Sequence, residues 1–393
     1  MEDAVAEVVI VGGGLEGVAA AWALSSRGIT DVVVCERHTV GSGGTGKSSG
    51  IVRCHYGVTS LAAMADAALD VFENAADVLG ADVGFRQTGY VVGVGAPNVA
   101  ALRASLADQR AVGVRTEEIG RDDVARLWPG AYLDDFAAFA WEPRGGYGDA
   151  YRTAQAFAAA ARAAGVRIRQ ATPVHDVLVD AGRVTGVRLA DGETISAGTV
   201  VVAAGPWSVP LLAAHGVELP IVVHREAIVV IDPGQPLGDV PVFSDLVSLQ
   251  YVRAEGVGGV LFGNSDLATL EPADPDAYLD RATEDFLDGC AQKLSHRFPG
   301  WGDATVTSTY AGCYDVTPDF NPVISATPID GLIVAAGFSG HGFKISPSVG
   351  ELVADLVTGG ASRWPRSDFR LSRFSEGALL RSPHPYVGAG EMR

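Results

Sequence analysis

An apolar run at 8–11 leads into GGGLEG at 12–17, a helix-like stretch at 18–24 follows, and a second apolar run at 32–34 is closed by the acid Glu36. That order predicts a strand, a glycine turn, a helix and a second strand. Gly12 suits the tight turn, Gly14 lets backbone approach a pyrophosphate, and Gly17 brings the helix against the strand. The helix N-terminus then faces the phosphate anion. Glu36 falls about 20 residues beyond the last glycine, where a carboxylate accepts hydrogen bonds from a ribose. A nucleotide cofactor is therefore expected. The motif alone does not separate FAD from NAD.

At 393 residues the chain exceeds one simple core, and about 150 residues per domain predicts two or three. Hydrophobic residues make up 48%, ample for burial. The richest stretch, 200–223, is broken by glycine, prolines and His215, so it falls short of the roughly 18 apolar residues of a membrane span. MEDAVAE at the N-terminus is acidic where a signal peptide would be basic, and a cytoplasmic location is expected. Cys35, Cys54, Cys290 and Cys313 form no CxxC pair, so no disulfide framework and no metal site is signalled. A net charge of −18 with no basic cluster argues against nucleic acid and anionic membrane surfaces as partners. Among 29 basic residues only Lys47, Lys293 and Lys344 are lysine. Each is either a chance survivor of an arginine-biased composition or a place that wants a compact ammonium.

Residues 39–57 are too rich in glycine and serine for a regular element, and 59–80 has helical periodicity with Thr59 or Ser60 as cap. Short alternating runs at 85–94 and helices near 98–111 and 122–127 read as an α+β insertion. A helix at 148–164 capped by Asp149 leads into a strand at 166–169. Hairpin turns at 181–182 and 191–192 form a meander that returns the chain to a strand at 199–205. Alternating segments over 220–309 suggest a second antiparallel sheet, with a helix at 275–298. The stretch 331–357 reads as strand, glycine-rich loop and a helix starting near Ser346.

Together these pieces resemble the D-amino-acid-oxidase-like flavoproteins, in the branch of sarcosine oxidase, glycine oxidase and dimethylglycine dehydrogenase. The likeness is carried by VVIVGGGLEGVAAAWAL with Glu36, GSGGTGKSSGIVRCHYG, VVVAAGPWS, CYDVTPDFNPVI and AAGFSGHGFKISP. It implies an α/β plus α+β fold: a Rossmann-like FAD-binding domain (1–84, 144–218 and 312–393) interleaved with an antiparallel-sheet substrate domain (85–143 and 219–311). FAD contacts are then expected from Gly12, Gly14, Gly17, Glu36 and Arg37, and from Thr45, Gly46, Lys47, Ser48 and Ser49 in the flavin-facing loop. Val174, Ala204, Gly205, Trp207 and Gly312 would add to these, as would Gly340, His341, Gly342, Phe343 and Lys344.

The chemistry such a site performs moves a hydride equivalent from the carbon bearing nitrogen to flavin N5. The protein must hold the substrate still and stabilise charge near flavin N1 and C2. Backbone N–H groups of GHGFK and a helix N-terminus suit that task. No metal or nucleophile is required. The resemblance implies that Arg53 and Lys344 clamp a substrate carboxylate. Arg53 is otherwise a surface or ribose-contacting cation. His341 would position substrate or donate to a backbone carbonyl. Tyr314 and Tyr251 would line the pocket, or serve as ordinary core aromatics.

The implied activity is oxidation of a small α-amino acid or amine, secondary or N-methylated, by an oxidase or dehydrogenase passing electrons to O2 or another acceptor. A flavoprotein subunit of a heteromeric dehydrogenase, a homo-oligomer and a flavin-binding protein without turnover remain open. In place of the oxidases' oxygen-activating lysine and histidine the chain has Leu261 and Ser265. Lys47 either compensates near N5 or contacts an FAD phosphate or carbonyl. Counting back from Thr317, the flavin-linking position of the family falls on Gly312, one residue before Cys313, and a one-residue shift in a strand turns a side chain to the opposite face. Non-covalent FAD is the expectation, with a Cys313 linkage open if a bulge restores its direction.

Overall fold

The computed structural model describes residues 4–388. Strand Ala4–Val11 is buried on both faces: Val8 and Ile10 point into one core, Val9 and Val11 into another. Such a run can only be interior to a sheet. Its parallel neighbours are Val32–Cys35 and Thr194–Val202, flanked by Arg167–Arg169 and Leu332–Ala336, with Val323–Ala326 antiparallel at the edge.

Helices Leu15–Ser26, Ala150–Ala163 and Gly342–Thr358 cover one face. Helix Leu15–Ser26 is apolar nearly all round because it is sandwiched. A Cβ on Gly350 would sit 2.4 Å from the Ala19 carbonyl oxygen, so these two helices cross almost backbone to backbone. The hairpin Val174–Asp180 and Arg183–Leu189 packs on the other face. Its turn is Ala181 and Gly182, both at positive φ (48° and 79°), the signature of a tight hairpin.

The second sheet runs Glu271–Pro272, Val222–Asp232, Gly259–Asn264, Gln250–Glu255, Val242–Asp245, Tyr90–Val94, Ala138–Glu142, Glu117–Ile119, with Thr305–Val316 on the other side of Val222–Asp232. All its pairs are antiparallel except Val242–Asp245 with Tyr90–Val94. Its outer face buries Trp128, Phe243, Phe298 and Trp301 under helix Glu284–Arg297. Fully buried Arg297 pairs there with Asp245 (2.9 Å) and Asp135 (2.7 Å). The inner face turns toward residues 44–49.

Four expectations are corrected. Helix Glu284–Arg297 starts later than 275, because Thr283 caps it by accepting from the Phe286 N–H (3.2 Å). Helix Gly342–Thr358 starts a turn before Ser346 and carries Pro347 inside it, where the Phe343 carbonyl, deprived of a backbone N–H partner, accepts from Ser346 Oγ instead (3.0 Å). Neither Thr59 nor Ser60 caps helix Thr59–Glu73; Val58 holds that position without a side-chain bond. The segments expected as separate strands around 194 and 199 are one strand, Thr194–Val202. Its first half also pairs with Arg183–Leu189, which extends it beyond the hairpin pattern.

Candidate active site

The glycine turn has the geometry a dinucleotide needs. Gly12 has φ +110°, and a Cβ there would lie 2.3 Å from the Ala203 carbonyl oxygen; on Gly17 it would lie 2.0 Å from that of Gly12. Gly14, by contrast, is open: the nearest atom to a Cβ would be Thr45 Oγ1 at 3.6 Å. It caps helix Leu15–Ser26 with no side chain of its own, leaving backbone available to an anion. Thr45 Oγ1 accepts from the Leu15 N–H at 3.0 Å. Glu36 accepts from the N–H groups of Gly13 (2.8 Å) and His38 (2.7 Å), which aims its carboxylate at the turn. These residues fit the adenosine diphosphate half of FAD.

Around this turn, Arg37 stacks on the Trp207 ring at 3.7 Å, and both hydrogen-bond Asp276 at 3.0 Å. Ala204 and Gly205 sit where strand Thr194–Val202 ends, the Ala204 N–H donating to Ser208 Oγ (3.2 Å). Val174 opens its hairpin strand, half-buried beside the same core.

Residues 44–49 bridge the two sheets. Gly44–Lys47 forms a 3-10 turn, with Gly46 packed close to the Gly41 carbonyl, and Ser48 Oγ accepts from the Gly50 N–H (3.1 Å). The Ser49 carbonyl accepts from Arg253 Nε (2.6 Å) on the second sheet. Lys47 lies across Gly312: its Cβ would be 2.6 Å from a Cβ at that position. Gly312 and Tyr314 therefore share the inner face. The register of Thr305–Val316 against Val222–Asp232 is unbroken here, so Cys313 pairs with Arg225 on the opposite face. Tyr314 hydrogen-bonds Tyr251 and packs on Gly340, while Tyr251 lies over Gly263. Burial pushes the Tyr314 phenol well above the usual range.

The two candidate clamp cations are both buried, Arg53 at 4% exposure and Lys344 at 6%. The Arg53 guanidinium packs on the Tyr56 ring (4.4 Å), and Tyr56 Oη hydrogen-bonds His341 Nδ1 (3.2 Å). Lys344 Nζ donates to the Gly340 carbonyl (3.2 Å) at the N-terminus of helix Gly342–Thr358. Tyr56 thus ties Arg53 to the turn carrying His341 and Lys344. Phe343, one residue on, packs into the helical core against Phe72 (5.2 Å), so its side chain does not face this group. A cleft of about 610 Å³ lies between residues 45–48 and the inner face of the second sheet, lined by Tyr147, Arg152, Val230, Arg253 and Tyr310. Arg53, His341 and Lys344 stand apart from its lining.

Three residues escaped the sequence reading, and a fourth, Tyr56 beside Arg53, was given no role in it. Glu16, inside the glycine motif, is half-buried, with its Oε1 buried against Gly342 and lacking a hydrogen-bond partner among the described residues. Burial and then the neighbouring Asp315 charge push it up to about 8. Asp315 itself is raised by burial to about 6 while accepting from the Gly337 N–H (2.7 Å). Glu226 sits opposite Gly312 on the inner face, raised by burial to about 8. Alternation with Ala227 and Val229, both core residues, marked it in principle. Tyr56 carries no such mark, because its role depends on a long-range contact.

Among the described residues no helix is long and apolar enough to cross a membrane, and no cluster of metal-ligating side chains occurs. The chain is 30% identical over 385 residues to sarcosine oxidase subunit beta of Arthrobacter sp, covering 95% of this chain and 92% of that one. It is also 30% identical to 4-methylaminobutanoate oxidase (formaldehyde-forming) of Paenarthrobacter nicotinovorans, over 93% of this chain but only 45% of that longer protein. In structure it resembles L-proline dehydrogenase from P. horikoshii, with a TM-score of 0.88 and 27% identity, across 96% of this chain and all of that one. Residues 7–356 match the DAO family of FAD-dependent oxidoreductases, and the chain belongs to that family.

Proposed function

We propose that this protein oxidises the C–N bond of a small α-amino acid, secondary or N-methylated, using FAD held by the unit built on the first sheet. The observation that carries the reading is the pair of buried cations, Arg53 and Lys344, linked through Tyr56 and His341 at a helix N-terminus. Arg53 and Lys344, both buried and brought to this turn, suit an anionic ligand, and an amino-acid carboxylate supplies it. When bound, FAD takes the hydride equivalent from the carbon bearing nitrogen, leaving an imine that water hydrolyses.

The residues divide the work. Arg53 and Lys344 hold the carboxylate, which fixes the reacting carbon. With FAD bound, the N-terminus of helix Gly342–Thr358 would offer backbone N–H groups to negative charge on the cofactor. Tyr251 and Tyr314 close the inner face against water. Lys47, over Gly312, would stand beside the flavin ring. No oxygen-activating cation occupies Leu261, which is buried opposite Arg253, itself paired with Glu255 at 2.6 Å.

Arg53→Met and Lys344→Met test the clamp through anaerobic flavin reduction. Each is expected to retain FAD while substrate binding weakens by about 2 to 5 kcal/mol. Unchanged concentration dependence in both would overturn the assignment. A second reading, that the chain is the flavoprotein subunit of a heteromer passing electrons onward, is favoured by relatives named as beta subunits. A second chain that co-purifies and accelerates turnover would support it.

A further inference from the structure

The chain beyond helix Gly342–Thr358 returns to the second sheet and meets the segment carrying Arg53. One anchor of this crossing is the Arg373–Asp319 ion pair (2.8 Å), fully buried. At the far end Asn98 clasps the backbone of Val387 twice, its Nδ2 donating to the carbonyl (3.1 Å) and its Oδ1 accepting from the N–H (2.8 Å). His384 pairs with Asp108 at 3.2 Å. Between these ties Tyr386 is inserted, 5% exposed, in the apolar cluster of Ile51, Tyr90 and Leu102.

Its hydroxyl reaches His55 Nε2 at 2.9 Å, and the two rings lie parallel, 4° apart in tilt, with centroids at 6.0 Å. His55 in turn supplies the carbonyl that accepts from Arg53 Nη1. The rest of the turn is gripped as well. Glu142 Oε2 accepts from the Cys54 N–H (2.8 Å), and Gln109 Nε2 donates to the Tyr56 carbonyl (3.1 Å). Backbone bonds thus hold residues 54 and 56, while the residue between them is held through its ring. The Arg53 guanidinium lies between the Tyr56 ring (4.4 Å) and the Tyr90 ring (5.9 Å), the latter packed in the same cluster as Tyr386.

We propose that Tyr386 is a positioning residue for the carboxylate clamp, setting the Arg53 guanidinium through His55 from the C-terminal segment. The inference rests on Arg53 binding the substrate carboxylate. A buried ring nitrogen that loses its hydrogen-bond partner costs more than the bond was worth. The turn therefore relaxes when that hydroxyl is removed, and the fixed end of the clamp moves with it.

The test uses the full chain loaded with FAD and anaerobic stopped-flow reduction by N-methylglycine, L-proline or whichever amino acid bleaches the wild type fastest. Tyr386→Phe is expected to keep its FAD and its limiting reduction rate within about twofold. Its half-saturating concentration should rise by about fivefold or more. In an Arg53→Met background the same change should add little, because the two residues act on one interaction. If Arg53→Met weakens binding while Tyr386→Phe alone leaves it unchanged, or adds its full effect in the Arg53→Met background, the inference fails and the clamp stands. If Arg53→Met has no effect, the clamp reading fails and takes the inference with it. A Tyr386→Phe protein that loses FAD or does not fold would assign the residue to structural support and overturn the positioning role.

Discussion

Single atoms decide several positions in this site. A methyl group on Gly17 would approach the Gly12 carbonyl to 2.0 Å, a contact that neither backbone can relieve. Gly17→Ala is therefore expected to yield protein without stoichiometric FAD, read from its visible absorbance. Gly263→Ala would instead strike Tyr251 (1.9 Å to Cζ), and should slow reduction while leaving FAD content intact. Glu226 adds a pH effect. Burial raises it to about 8, so it is neutral below that value and becomes an anion above it, where Asp266, Glu271, Arg225 and Lys293 surround it. Ionisation would add negative charge beside Tyr314 and oppose a carboxylate substrate. Half-saturating concentrations should rise above about pH 8, and Glu226→Gln should flatten that rise. At this scale the glycines and Glu36 were legible because their roles follow from local backbone geometry. Glu226, Tyr56 and Tyr386 were not, because register and a chain crossing bring them to the site.

Elements carry the register argument. Strand Thr305–Val316 pairs with Val222–Asp232 without a shift from residue 308 to 316, its one irregularity lying between Val306 and Ser308, so no bulge turns Cys313 back toward residues 44–49. Its thiol, raised by burial to about 11, faces Arg225 on the other side. We predict that acid precipitation leaves the flavin in the supernatant; a yellow pellet made colourless by Cys313→Ala would contradict this. Strongly periodic elements such as Ala150–Ala163, with Asp149 accepting from the Arg152 N–H (2.9 Å), were readable in place. Boundaries failed where a cap lay inside the expected helix, as at Thr283, or where one strand serves two partners, as in Thr194–Val202.

Across the whole molecule, Glu16, Glu142, Asp315 and Glu226 are all raised by burial, to about 8, 7, 6 and 8. A carboxyl whose folded pKa exceeds its unfolded value binds more protons when folded. Its contribution is complete below the unfolded value and is lost as pH rises through the folded one. Thermal stability of the FAD-free protein should therefore fall as pH rises from the ordinary carboxylate range to about 8, and Glu142→Gln should lessen the fall below about pH 7. The alternating sheets and helices made both layers legible from the chain, since each strand's pattern reports whether one face or two are buried. Reoxidation of reduced protein by air-saturated buffer should be slow, because Leu261 places no cation on the inner face. Rapid reoxidation abolished by Lys47→Met would instead place that charge in the flavin-facing loop.

The central claim is that the buried Arg53–Lys344 pair presents an amino acid to FAD. Anaerobic titration of the FAD-loaded protein with a panel of small secondary and N-methylated amino acids tests it most directly. Saturable loss of flavin absorbance is expected with at least one of them, and none with the matching amine that lacks the carboxylate. Flavin that dithionite reduces but no amino acid does, or reduction equally good without the carboxylate, would contradict it.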